Sequence, residues 1–267
     1  MLIDFPLQAA DVPRLDGILV THANNDHFGV PTCTALNEVT QRFHSTRYVS
    51  DLMHERGMPA DGHGIGDAFS VGGVRVTVTP ADHAWQNAAP QPGQRTFHDE
   101  DSCGFWIETL DGVIWAPGDS RLIREHHLTM PTPDALLFDF SDSEWHFTFD
   151  GAVEMANAYP DADLLPHHWG SVDSPEFAPF NADPDTLRDV VVNPKRIRAT
   201  RTGRAFPTGG ASDRLNLMQQ QNVRVQVISD PARRDSLFWC SGSDRKRRHD
   251  HYPAASHRQE LIVRGPA

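Results

Sequence analysis

The chain has 267 residues, 39% of them hydrophobic, enough for one sizeable globular domain rather than a disordered or membranous chain. Its 24 basic and 36 acidic residues give a formal charge of −12, which argues against nucleic acid or an anionic membrane as the main partner. The opening Met1-Leu2-Ile3-Asp4-Phe5-Pro6 carries neither a basic region nor a long apolar core, so no secretory signal is expected, and no run approaches the roughly 20 apolar residues of a membrane helix.

Gly17-Ile18-Leu19-Val20 reads as a buried strand. It runs into Thr21-His22-Ala23-Asn24-Asn25-Asp26-His27-Phe28-Gly29. Two imidazoles, a carboxylate and an amide thus stand at the carboxyl end of a strand, where ligands bind in open α/β sheets. The mixture of nitrogen and oxygen donors suits a divalent metal, although by itself the run is equally a polar strand-to-helix loop. Pro31 to Phe43 is predicted to be a helix against the sheet. Arg47 to Arg56 is predicted to be a second, stopped by Gly57. His44, His54 and His63 read as surface or structural histidines.

Gly66-Asp67 opens a hairpin of Ala68-Phe69-Ser70, a Gly72-Gly73 turn, and Val74 to Thr79, which delivers Pro80-Ala81-Asp82-His83. Trp85 to Asp101 is rich in Pro, Gln and Gly and long for a plain connection. It reads as a functional loop in which Trp85 and Phe97 are candidates to contact substrate. Cys103 to Leu110 and Val113 to Ala116 form a hairpin about Asp111-Gly112 and end at Pro117-Gly118-Asp119-Ser120.

Ala135 to Phe140 is a further buried strand with Asp139 and Asp142 at or beyond its end. Trp145 and His146 follow. Trp145 is a candidate substrate contact, and His146 a candidate catalytic histidine that is not a ligand. His126 and His127 fall in a polar, helix-like stretch and are expected to be solvated. Ala152 to Ala158 is a short helix, and Leu164-Leu165 a strand leading to Pro166-His167-His168-Trp169-Gly170. Asp183-Pro184 to Val192 reads as a helix with Pro at its first position, and Lys195 to Thr200 as the last strand.

Beyond Gly203-Arg204-Ala205-Phe206 the composition turns basic, with Arg245-Lys246-Arg247-Arg248 and a short alternating run from Val223 to Ile228. Two units are expected: 1-205 as the folded domain and 206-267 as a basic, poorly ordered extension. Cys33, Cys103 and Cys240 are far apart and show no Cys-x-x-Cys spacing. No disulfide framework is expected, and cytoplasmic residence fits best.

Four strand ends therefore carry His or Asp in one order along the chain. The pattern resembles the metallo-β-lactamase superfamily, whose signature is His-x-His-x-Asp-His, a third-strand His, a bridging Asp in Gly-Asp-Ser/Thr, and a last His. The His-Trp-Gly form of the last element is most similar to the branch holding ascorbate-6-phosphate lactonase and N-acyl-phosphatidylethanolamine phospholipase D. The resemblance implies an α/β, four-layer αββα sandwich that here lacks the first β-strands, which would leave a sheet edge unprotected. It also implies metal ligands at His22, Asp26, His27, His83, Asp119 and His168.

Asn24 stands where the family has its second His, and an amide is a weak ligand. One firmly bound Zn2+ is expected from Asp26, His27 and His168 with Asp119. A loose or empty first site is expected at His22, His83 and Asn24, with Mn2+ or Fe tolerating the amide better. Asp82, Asn25 and Ser120 are candidates to anchor the ligand imidazoles.

The implied activity is metal-dependent hydrolysis of a small lactone or other ester by metal-generated hydroxide, with Asp26 both ligand and proton acceptor. The partner is a small-molecule substrate, with no nucleic acid and no membrane. The alternatives are a phosphodiesterase of the same fold, with Arg121 as a phosphate contact, and a metal-binding protein without hydrolytic activity or with a redox step. No Gly-x-Ser-x-Gly elbow supports serine chemistry.

Overall fold

The computed structural model describes residues 9–168 and 183–198, and strands at 226–228 and 260–263. The expectations made for the opening Met1 to Pro6, Trp169-Gly170, the 205/206 boundary and the basic run at 245–248 lie outside the described residues. In chain order the elements are β1 (Gly17–Leu19), α1 (Val30–Leu36), β2 (Phe43–Thr46), α2 (Arg47–His54), β3 (Ala60–His63), β4 (Ala68–Val71) and β5 (Val74–Pro80). They continue with β6 (Cys103–Thr109), β7 (Gly112–Ala116), α3 (Arg124–His127), β8 (Ala135–Asp139), α4 (Thr148–Ala158), β9 (Asp163–His167), β10 (Gln226–Ile228) and β11 (Glu260–Val263).

Two sheets face each other. One has the order β10-β11-β1-β2-β3 and the other β4-β5-β6-β7-β8-β9. Between them Leu19 packs with Val74, Val76, Val78, Phe105, Ile107 and Leu137. Outside the first sheet, Leu36 of α1 and Val49 and Met53 of α2 cover Ile18, Phe43 and Ala60. Outside the second, Ala152, Met155 and Ala156 of α4 cover Leu136, Phe138 and Leu164. The layers are helix, sheet, sheet, helix, the αββα sandwich the sequence implies.

Local sequence explains the elements that carry the site. In β5 the valines at 74, 76 and 78 are buried while Arg75 is exposed, the period of a strand with one face on the core. Every residue of β8 is buried, because it pairs in parallel with β7 and β9 and both its faces are covered. The β4–β5 hairpin closes on Gly72 and Gly73, at φ 53° and 83°, which few other residues adopt. Thr46 starts α2 by accepting a 3.3 Å hydrogen bond from the Val49 N–H.

Several expectations are corrected. The first helix stops at Leu36, and Phe43 belongs to β2, which pairs in parallel with both β1 and β3. The 184–192 segment is a 3-10 helix, Pro184–Asp189, rather than an α-helix. Of the strand expected at Lys195 to Thr200, the described residues, up to 198, form a 3-10 turn, Pro194–Arg196, and one parallel bridge between Leu164 and Ile197. The β1 edge expected to be unprotected is paired: β11 lies antiparallel along it, with Gly17 opposite Val263 and Leu19 opposite Leu261, and β10 pairs with β11. His127 is fully buried rather than solvated, and its ring nitrogen Nδ1 accepts from the Ile123 N–H at 3.0 Å.

Candidate metal centre

The loop after β1 is fixed from three sides. The Thr21 carbonyl accepts from the Cys103 N–H at the start of β6, at 3.0 Å. The N–H groups of His27 and Phe28 both donate to the Asn24 carbonyl, at 2.9 and 2.6 Å, closing a turn that buries Phe28. The turn lays Asp26 and His27 over the ends of β7 and β9. Asp119 arrives after Gly118, whose φ is +74° and where an added Cβ would lie 2.6 Å from the Cys103 carbonyl oxygen. Only glycine lets the chain pass there. His168 follows β9 directly and holds a left-handed backbone, φ 67°, uncommon for a non-glycine residue.

Ligand atoms of Asp26, His27, Asp119 and His168 all lie within 4.8 Å of one another, as do those of His22, His83 and Asp119. Asp119 Oδ2 stands 2.9 Å from His27 Nε2 and 3.5 Å from His168 Nε2. Asp26 Oδ2 stands 3.6 Å from His168 Nε2 and 3.8 Å from His27 Nε2. His22, His27, His83, Asp119 and His168 are all buried.

The His22 and His27 Nε2 atoms and both Asp119 oxygens are buried with no aligned hydrogen-bond partner. Buried polar atoms nearly always have one. Atoms that converge on a shared point, rather than pairing, fit a cation. Two imidazole nitrogens and two carboxylates are a donor set that zinc, manganese or iron accepts.

Electrostatics follow from burial and charge. Desolvation, with the neighbouring His27, holds His22 well below its usual range, and desolvation lowers His83 to about 4. For His27, burial opposes protonation, but the Asp119 and Asp26 carboxylates outweigh it and raise the ring to about 9. Burial alone would raise Asp119, yet the adjacent imidazoles hold it well below the carboxylate range. Burial raises Asp139. These charges favour a cation among the ligands.

The residues that orient the imidazoles differ from those expected. Thr21 Oγ1 lies 3.0 Å from both His22 Nδ1 and His27 Nδ1. A hydroxyl oxygen has two lone pairs, so it accepts from both rings when each carries its proton on Nδ1, and both Nε2 lone pairs then face inward. His83 Nδ1 donates to the Trp145 carbonyl at 2.9 Å. Asp82 instead takes both arms of Arg121, at 2.9 and 3.0 Å. Ser120 Oγ accepts from the Asp82 N–H, and Asn25 is exposed.

Of the expected substrate contacts, Trp145 alone touches these residues, through its carbonyl, while its ring lies 4.9 Å from the Arg121 guanidinium. Phe97 packs edge-on against Tyr48, and Trp85 is 45% exposed. His146 is brought to the site: its ring lies 4.7 Å from His168 and 5.0 Å from His83, and its Nδ1 is hydrogen-bonded to Asp139. Burial opposes its protonation, but Asp139 raises it to about 9. Asn24 is also present, with its amide nitrogen 3.3 Å from His83 Nε2 and its oxygen bonded to Gln86.

A family model described as a beta-lactamase superfamily domain matches residues 3–169. The chain belongs to this superfamily. A UPF0173 metal-dependent hydrolase of Methanoculleus marisnigri is 33% identical over 114 residues, which cover 42% of this chain and 47% of that relative. The match thus spans about half of the relative's length. Two solved structures share the superfamily fold at low identity. Igni18, a metallo hydrolase from Ignicoccus hospitalis, is 18% identical with a TM-score of 0.56, covering 71% of this chain and 77% of its own. An isothiocyanate hydrolase from Delia radicum gut bacteria is 16% identical with a TM-score of 0.55, covering 69% and 72%. Among the described residues no helix is long and apolar enough to cross a membrane.

Proposed function

We infer that this chain is a metal-dependent hydrolase of a small lactone or other ester, with zinc as its cation. One observation carries the reading: the ligand atoms of Asp26, His27, Asp119 and His168 converge within 4.8 Å, and several of the buried atoms among them have no aligned hydrogen-bond partner. The names of relatives support its coarser part, a metal-dependent hydrolase. A divalent cation held by these residues would lower the pKa of water from about 16 toward about 7 and polarise an acyl oxygen.

The chain's own residues supply the rest. Asp26, at 3.6 Å from His168 and 16% exposed, is both ligand and the carboxylate placed to accept a proton from the attacking water. His146, held by Asp139 at Nδ1, keeps its other nitrogen for a proton that a leaving alkoxide needs. Thr21 and the Trp145 carbonyl fix the rings of His22, His27 and His83. Arg121, the residue the sequence offers as a phosphate contact, is already paired with Asp82 through two N–H groups, which disfavours a phosphodiester.

The reading is tested with lactones, carboxylic esters and phosphodiesters, assayed after chelation and after adding zinc, manganese or iron. Ester or lactone turnover that chelator abolishes and zinc restores is expected. His146→Gln should lower kcat by about 10²-fold while leaving the bound metal in place. Turnover of phosphodiesters alone would move the assignment to the phosphodiesterase. A metal-loaded protein idle on every substrate would point to a binding or redox role.

A further inference from the structure

We propose that a pair of amides, Asn24 and Gln86, stands in the corner where a first cation would otherwise be held, so that the centre takes one divalent ion, at Asp26, His27, Asp119 and His168. The proposal rests on the metal-centre reading above.

His83 presents one ring-nitrogen lone pair to this corner. Its Nδ1 lies 2.9 Å from the Trp145 carbonyl, which only accepts, so the proton is on Nδ1 and Nε2 carries the lone pair. Asn24 Nδ2 lies 3.3 Å from that Nε2. The contact requires the amide to present N–H there, since its oxygen would set one lone pair against another. The Asn24 oxygen, its only useful metal donor, therefore turns away. It accepts from Gln86 Nε2 at 2.8 Å.

Both features a first-site ion would need are thus taken. The His83 lone pair is engaged by an N–H donor, and the amide oxygen is engaged by Gln86. The group of His22, His83 and Asp119 is left with two free donors, one of them the carboxylate shared with the other position. His22 Nε2, buried with no aligned partner, would accept there from a water or a hydroxyl group. The other position brings four donor groups within 4.8 Å of one another.

A chemical preference follows. Two-cation sites clamp both oxygens of an in-line phosphoryl displacement. An amide N–H beside a single cation suits instead the one developing oxygen of a carbonyl group. Gln86 is then a positioning residue. It sits on the 3-10 turn Trp85–Ala88, three residues after His83, and donates to the Asn24 oxygen at 2.8 Å.

The test uses the full chain, stripped with chelator and dialysed against zinc. Elemental analysis gives the stoichiometry, and histidine ring nitrogen NMR reports which imidazoles bind. One ion per chain is expected, with the His27 and His168 Nε2 signals moving and that of His83 unmoved. His22→Gln should keep the ion with affinity within threefold, while His168→Gln should lose at least a hundredfold. Asn24→His should take up a second ion and move the His83 signal. Two ions in the unaltered protein, a shifted His83, or loss of the ion in His22→Gln would each overturn the amide proposal and leave the metal centre standing. A single ion in folded Asn24→His would also overturn it. No zinc bound by any variant would remove the metal centre itself, and the proposal with it.

Discussion

At the residue scale the centre depends on which nitrogen of each imidazole carries its proton. Thr21 sets this for two imidazoles, His22 and the proposed ligand His27, with one oxygen. Thr21→Val keeps the shape and removes both hydrogen bonds. Loss of such outer partners costs about 10–100-fold in metal affinity, so competition with a chromophoric chelator should show that drop for zinc. Thr21→Ser, which restores the oxygen, should recover most of it. Equal zinc affinity in Thr21→Val and the unaltered chain would mean that the rings orient themselves. That these His and Asp residues come together was legible in the sequence, because they follow strand ends in a fixed order. Thr21 was not, since a threonine before a histidine carries no signal. Gln86 was equally invisible: its partner lies 62 positions away, and only the folded chain brings the two amides together. Asp139 was visible as an acid at a strand end, but its bond to His146 is a tertiary fact.

At the element scale, what was legible was what alternates or turns. The β4–β5 and β6–β7 hairpins could be read from double-residue turns and valine periodicity, and they deliver His83 and Asp119. The strands β2 and β3 could not. Phe43–Thr46 and Ala60–His63 lack an apolar alternation, and they are strands because β1 offers β2 a parallel edge and β2 offers one to β3. The loop that presents Asp119 depends on Gly118. Gly118→Ala would combine a positive φ with a contact of 2.6 Å to the Cys103 carbonyl. Backbone strain of this kind costs about 1–3 kcal/mol, and relief by movement would shift Asp119. Urea unfolding should show a stability loss of that order, and zinc binding should weaken as well. A variant with unchanged stability and zinc affinity would show that the Pro117–Ser120 turn has slack.

At the scale of the whole molecule, two buried histidines outside the centre make stability depend on pH. Desolvation, helped by His63 and Arg42 and opposed by Asp61, lowers His44 to about 4. Desolvation, helped by His126, lowers His127 to about 3. Both are neutral in the folded chain, whereas in the unfolded chain each returns to an ordinary value near 6.5. Between those limits the unfolded state binds more protons, so stability falls as pH drops below about 6.5 and the loss levels off below the folded values. For His44 the full loss is on the order of 3–4 kcal/mol, at about 1.4 kcal/mol per pKa unit. His22 and His83, also lowered by burial, titrate in the same window, so a single pH profile would mix them. Comparison with a variant separates the two. His44→Phe keeps a ring beside Phe69, which stacks on His44 at 4.7 Å, and removes the titrating group. The stability of the unaltered chain relative to His44→Phe should therefore fall by about 2 kcal/mol between pH 7.5 and 4.5 as the shared titrations cancel. A constant difference across that range would mean that His44 is protonated as readily in the folded chain as outside it.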